Sequence, residues 1–324
     1  MLKRILSLTQ VTCLLLVLAL SLSSCRSNID EKVIRLMVSN AMGSGGLFYV
    51  VEDLALLDKY AENAKLELSV AALGPGMNEG ILAGRLDGAS MNIINFLIGI
   101  DVGVPYKIAT SVSYGSNVFV TNNPNIKSIG DITENDRIAI PDMTRTGGVL
   151  LRLAAEQYFG SYDALDELIV IMGHDDAVSA IISNSGGISV TPVSAEGRIT
   201  LEKVDGYNPI LIDRDLFEGE LIQGYFVFSE GFYNNNTELA QALLSALGEA
   251  CTMIQNRDEE AINILARRYE MNKDDVINLL DNGDYLFVVD NYDSIETFGD
   301  ILLKSGIISS MKPLEEIIIG YKEN

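Results

Sequence analysis

The chain has little with which to hold a metal or to run acid–base chemistry. Its 324 residues include one histidine, three cysteines and no tryptophan. A lone His174 and three scattered cysteines leave a zinc site or an iron–sulfur cluster without its usual ligands. Cations are also scarce, with 23 Lys+Arg against 45 Asp+Glu and a formal net charge of −22. A surface of that sign repels phosphate backbones, so no nucleic-acid partner is expected. There is no P-loop lysine and no G-x-S-x-G. His174-Asp175-Asp176 has no second histidine to complete a nucleophile–base–orienter set. The expectation is therefore a protein that is not an enzyme, carrying neither metal nor cofactor. What is abundant is apolar residues, at 48%, together with 28 glycines. That content argues against disorder, and the length suits one large domain or two of ordinary size.

The N-terminus reads as an export signal. Lys3 and Arg4 precede an apolar stretch over Val11–Leu20 that is too short to span a bilayer and matches a signal-peptide core. Leu22-Ser23-Ser24-Cys25 follows, and small residues before a cysteine at that point resemble a bacterial lipobox, which implies cleavage before Cys25 and its lipidation. Residues 1–25 are expected to be a lipoprotein signal peptide and 26–32 a polar tether. Loss of Lys3 and Arg4 with the signal would leave 21 basic against 45 acidic residues, a net −24. Several acyl chains give durable anchoring at a membrane surface. Only Cys251 would remain a free thiol. It lies on the helical stripe Leu243, Leu244, Leu247, Ala250, Ile254 and reads as a buried small hydrophobe.

Beyond the tether, short β-type runs alternate with helical ones. Val33–Val38, Leu66–Leu73 and Asp87–Asn92 read as strands, and Leu47–Tyr60, Met77–Gly84 and Ile93–Val102 as the helices after them. A second block begins at Arg137–Ile140 and continues with a helix over 149–159, a strand over 168–172, a helix over 175–183 and a strand over 187–190. Strands separated by helices imply βαβ units and a mainly parallel sheet with both faces covered. The last hundred residues read mostly as helices, over 237–255, 258–269, 273–280 and 294–305.

Two small-residue loops, one per block, stand out. Ser44-Gly45-Gly46 and Thr144-Arg145-Thr146-Gly147-Gly148 each lie between a strand and a helix. Helix starts expose unpaired N–H groups, hydroxyls add donors and glycine admits a ligand close to the backbone. Arg145 is the one cation in these loops and suits a carboxylate or sulfonate. Simple helix capping and a surface ion pair are the alternatives. Gly74-Pro75-Gly76 opens a G-x-G-x-x-x-G run, one residue longer than the dinucleotide pattern and on the wrong strand, so it reads as a turn.

Four segments in order carry a resemblance: Leu47–Tyr60, Gly80-Ile-Leu-Ala-Gly-Arg-Leu-Asp87, Ile129–Ile132 with Arg137–Pro141, and Thr237–Leu247. The chain resembles the solute-binding lipoproteins of bacterial ABC importers, in the branch for nitrate, sulfonates, taurine and thiamine-pyrimidine precursors. The resemblance implies an α/β type-II periplasmic binding fold, with two α/β lobes, a ligand cleft and C-terminal helices. Residues 33–118 would begin lobe 1, 119–227 would form lobe 2, and 228–324 would hold the return crossing and the helices completing lobe 1. It places ligand contacts at Ser44, Gly45 and Gly46, at Asn92 and Asn95, at Thr144, Arg145, Thr146 and Gly147, and at Thr191. The implied role is capture of a small solute, a sulfonate- or nitrate-like anion, and delivery to an ABC permease with its ATPase, on the outer side of a bacterial membrane. A pyrimidine thiamine precursor and a sensing lipoprotein without transport are the alternatives.

Overall fold

A computed structural model of the chain describes residues 32–71, 75–201, 206–216 and 221–321. The export signal and Cys25 lie outside them. Two separate sheets organise the rest. The first strand, β1 (Lys32–Ser39), is followed by α1 (Met42–Asp53), β2 (Ala64–Ala71), α2 (Pro75–Leu82), β3 (Gly88–Asn92), α3 (Ile93–Asp101) and β4 (Tyr106–Gly115). The chain then enters the second sheet with β5 (Asn117–Thr121), β6 (Ile138–Ile140), α4 (Thr146–Phe159), β7 (Ile169–Ile171), α5 (His174–Ser183), β8 (Val190–Ser194), α6 (Ala195–Leu201) and β9 (Asn208–Ile212). It returns through β10 (Gly224–Ser229), α7 (Glu230–Asn235), α8 (Thr237–Gln255), α9 (Glu259–Arg268), α10 (Lys273–Asp281), β11 (Tyr285–Phe287), α11 (Ile295–Lys304) and α12 (Leu314–Ile317).

The strand orders are β11-β4-β10-β3-β1-β2 and β7-β6-β8-β5-β9. The sheets are mixed rather than mainly parallel. β1 runs parallel to β2 and β3, and β6 parallel to β7 and β8, but β4, β5 and β10 pair antiparallel with their neighbours. These are the strands that enter or leave a crossing between sheets, so a simple βαβ repeat does not govern their direction. The change of sheet falls at Ser116 on the way out. On the way back, β10 already belongs to the first sheet.

Burial explains the helical stretches. α1 is apolar on nearly every side, and from Leu47 through Val51 each residue is buried, as expected of a helix enclosed by a sheet and other helices. α8 shows most of the stripe read from sequence, with Leu243, Leu247, Ala250, Cys251 and Ile254 buried in the same core as α1 and Leu244 only partly buried against it. Burial pushes the Cys251 thiol up to about 11, away from the range of a reactive thiolate. Among the described residues no helix is long and apolar enough to cross a membrane.

The crossings are pinned by one buried carboxylate. Asp213, 1% exposed, follows β9. One oxygen accepts from the Tyr114 hydroxyl (2.7 Å) and the Arg214 amide (2.8 Å). The other accepts from the Asn117 amide (3.1 Å), Asn117 Nδ2 (3.4 Å) and Gln223 Nε2 (3.1 Å). The donors come from the outgoing crossing (Tyr114, Asn117) and the return (Arg214, Gln223). One side chain thus ties both passages together, with every lone pair engaged by a donor.

Candidate functional site: a cleft between the two sheets

A cavity of about 850 Å³ opens between the two halves. Its wall is built largely from helix beginnings. Asn40 and Ala41 stand before α1, Arg145–Gly148 open α4, His174 and Asp175 open α5, and Asn272 and Asp275 open α10. None of these four helices has a side-chain hydrogen bond capping its start. An uncapped start is not special to the cleft, since α8 and α11 share it. Here, however, four such starts meet one cavity. The first amides of a helix have no partner within it and carry partial positive charge. α1 and α4 have no acidic residue in the first turn, whereas α5 has Asp175 and Asp176 and α10 has Asp274 and Asp275. The positive ends of α5 and α10 are therefore already answered by the protein's own carboxylates, and those of α1 and α4 are not.

The expected site residues divide sharply. Arg145, Thr146 and Gly147 line the cavity. Arg145 is exposed, and among the described residues it forms no ion pair. Thr144 is exposed next to it but binds Asp142, with its amide and hydroxyl both 2.8 Å from Oδ1, and does not line the cavity. Asn92 caps α3, accepting from the Ile94 amide at 2.9 Å. Its Nδ2 donates to Thr146 Oγ1 at 3.0 Å, a bond from one half of the molecule to the other. Asn95 lies along α3 and outside the cavity wall.

Ser44, Gly45, Gly46 and Thr191 do not line the cavity. The helix begins at Met42, earlier than the apolar spacing predicts, so Ser44–Gly46 are its first turn and not a loop. Ser44 Oγ accepts from the Ser39 amide (3.0 Å) and donates to the Ser90 carbonyl (2.9 Å), joining β1 to β3. A Cβ on Gly45 would lie 2.7 Å from the Tyr269 hydroxyl and one on Gly46 2.8 Å from Phe287 Cζ. These glycines let α1 approach α9 and β11, and no ligand is needed to explain them. Thr191 is fully buried and donates to the Ala139 carbonyl at 3.0 Å.

Sequence reasoning missed wall residues contributed by both halves. Glu196 at the start of α6 and Tyr285 on β11 both line the cleft, and Tyr285 donates to Glu196 Oε1 at 2.7 Å across it. Burial and the neighbouring Glu196 carboxylate push the Tyr285 hydroxyl well above its ordinary value. Nearby, Arg198 of α6 pairs with Asp284, whose side chain is 1% exposed. Tyr269, Glu270 and Met271 arrive from the turn between α9 and α10. The positive φ of Glu270 (53°) could be anticipated from no sequence motif. Among the described residues no group of His, Cys, Asp and Glu could hold a metal ion.

No protein-family model and no curated protein matches the chain. Solved structures do share its fold. The periplasmic aliphatic sulphonate binding protein SsuA from Escherichia coli superposes with a TM-score of 0.74 at 16% identity, over 90% of this chain and 94% of that one. A Candida albicans gene product described as having the generic periplasmic binding protein fold gives 0.66 at 10% identity, over 86% and 92%. The periplasmic nitrate-binding protein NrtA from Synechocystis PCC 6803 gives 0.59 at 16% identity, over 76% and 69%. The fold is the periplasmic binding protein fold.

Proposed function

We propose that this protein is the extracytoplasmic solute-binding component of an ABC importer, exported, lipidated at Cys25 and held at the outer side of a bacterial membrane. It takes a small solute into the cleft and delivers it to a permease driven by an ATPase. The observation that carries this reading is the cleft itself: about 850 Å³ between two α/β halves, walled by helix starts and spanned by crossings that meet at Asp213. Such an arrangement closes around a ligand by a hinge.

The sulfonate- or nitrate-like anion expected from sequence has Arg145, Thr146 and the unanswered starts of α1 and α4 in its favour. A neutral pyrimidine-like ring, which donates N–H groups, has the wall carboxylates in its favour. A thermal-shift panel of nitrate, sulfonates, carboxylates, pyrimidines, amines and amino acids tests the reading. A ligand at about 100 times its Kd adds about 2.7 kcal/mol of stability. If no small molecule raises the melting temperature, the solute-binding reading is wrong. Arg145→Ala separates the solute classes: an anion should lose affinity and a neutral ring should not. Replacement of Cys25 by Ser should move the protein from the membrane fraction to the soluble one. The lack of any adjacent permease and ATPase would favour a sensing role over import.

A further inference from the structure

The charge of the cleft wall goes beyond the expected anion. Asp142, Asp175, Glu196, Glu270 and Asp275 line the cavity against one guanidinium, Arg145, with no lysine. Among its Asp, Glu, Lys and Arg side chains, five acids and one base give the wall a formal −4. Three of the acids, Asp142, Asp175 and Glu196, belong to the half built on the second sheet. Glu270 and Asp275 belong to the other. Closing the cleft therefore brings like charges toward one another, and Arg145 is the one Arg or Lys in this wall.

Helix capping explains part of this set and not the rest. Asp175, Glu196 and Asp275 occupy first turns, where an acid complements the helix dipole. Glu270 has no such role. It follows the end of α9 in the left-handed conformation (φ 53°), a position where glycine or asparagine is the economical choice. Asp142 precedes α4 and uses Oδ1 to accept from Thr144. The cavity also presents Tyr269 and Tyr285, the residue type whose ring attracts a cation.

We infer that the solute taken by this cleft carries a positively charged nitrogen (an amine, amidine or quaternary ammonium) and no balancing anionic group, in contrast to the sulphonate and nitrate named for the fold neighbours. The inference rests on the solute-binding reading of the same cleft. A cation between the two sets of carboxylates interacts more favourably with the closed form than with the open one, which is the condition for a ligand to drive closure. An anion adds to the repulsion instead. The net −22 of the whole chain acts in the same direction, raising the local concentration of cations at the cleft mouth.

The test is calorimetric titration of the full chain in low salt with 1,4-diaminobutane, agmatine and choline on one side and nitrate, ethanesulfonate and taurine on the other. The expected result is binding of at least one cationic probe, weakening as salt rises from about 20 mM to about 300 mM. Glu270→Gln and Asp275→Asn should each weaken it about tenfold, the effect of losing one charge-assisted contact. Arg145→Ala should leave it unchanged or tighten it. Melting curves of the three variants establish that each is folded. Binding of nitrate, ethanesulfonate or taurine alone, abolished by Arg145→Ala, overturns the inference and leaves the solute-binding reading intact. Binding of an uncharged pyrimidine alone does the same. Silence across the whole thermal-shift panel overturns both.

Discussion

Replacing Asp213 by Asn changes one atom at the point where both crossings meet, and the consequence follows from the donors around it. Oδ1 accepts from Tyr114 and the Arg214 amide, and an amide oxygen can still do so. Oδ2 accepts from the Asn117 amide, Asn117 Nδ2 and Gln223 Nε2. In the variant an NH₂ group faces those three donors. Rotating the amide only moves the conflict to Tyr114 and Arg214. A Gln223 flip relieves one contact, because its Oε1 then meets the new NH₂, but it gives up the bond that Oε1 takes from Asn117 Nδ2 (3.4 Å). At least one buried donor stays unpaired, at about 1–3 kcal/mol each, and the charge-assisted character of the remaining bonds is lost. The expected loss is about 2–4 kcal/mol, or roughly 4 °C or more in melting temperature at about 2 °C per kcal/mol for a chain of this size. With no tryptophan in the chain, far-UV circular dichroism in urea is the assay. Tyr114→Phe should cost less, about 1.5 kcal/mol, and the double variant should fall short of the sum because the two share a network. A loss under about 0.5 kcal/mol for Asp213→Asn would show that water replaces these donors freely, and the hinge argument would fail.

Three further outcomes follow from local geometry. Gly46→Ala places a Cβ 2.8 Å from Phe287 Cζ, so it should destabilise by about 1–3 kcal/mol through overpacking, read from the urea midpoint. Arg198→Ala leaves Asp284 buried without its cation and should cost about 3–5 kcal/mol, while Arg198→Met with Asp284→Leu should recover most of it. Acid should destabilise the fold. Burial alone would raise Asp53, but hydrogen bonds and charge from Arg268 and Arg267 outweigh it and hold the carboxyl below its ordinary value. Bonds from Ser309 lower Asp101, bonds from Lys127 and Ser128 lower Asp131, and Lys59 lowers Glu249. A depressed acid contributes stability that is complete above its unfolded value and is lost as pH falls through the folded one. The urea midpoint should therefore hold steady above about pH 5 and fall below about pH 4. Asp213, raised by burial, works in the opposite sense, its contribution being greatest at low pH. A midpoint that rises steadily between pH 5 and pH 3 would show that relief of the net negative charge outweighs these local bonds.

The alternation of strand and helix was legible because each element is buried against a neighbour and its apolar spacing records which side. α8 over Thr237–Gln255 matches the range read from its stripe. The start of α1 was not legible. Met42-Gly-Ser-Gly-Gly46 has the composition of a loop, and only the close approach of Ser113, Tyr269 and Phe287, to Gly43, Gly45 and Gly46 in turn, gives those glycines a reason to be helical. Arg145, Thr146 and Gly147, which line the cavity, lie at a strand–loop–helix junction with a cation, a pattern with a local signature. Ser44 and Thr191 have the same kind of signature, but their hydroxyls are taken by Ser90 and Ala139, partners distant in sequence.

The sequence by itself determined the two α/β blocks, the poverty in metal ligands and bases, and the excess of negative charge, since these follow from composition and from short-range periodicity. Only the tertiary structure decided which residues form the cleft. Glu196, Glu270, Asp275 and Tyr285 come from separate elements and meet because the return crossing brings the C-terminal helices back to the first sheet. The sign of the cleft wall is a property of that meeting, and no stretch of sequence contains it.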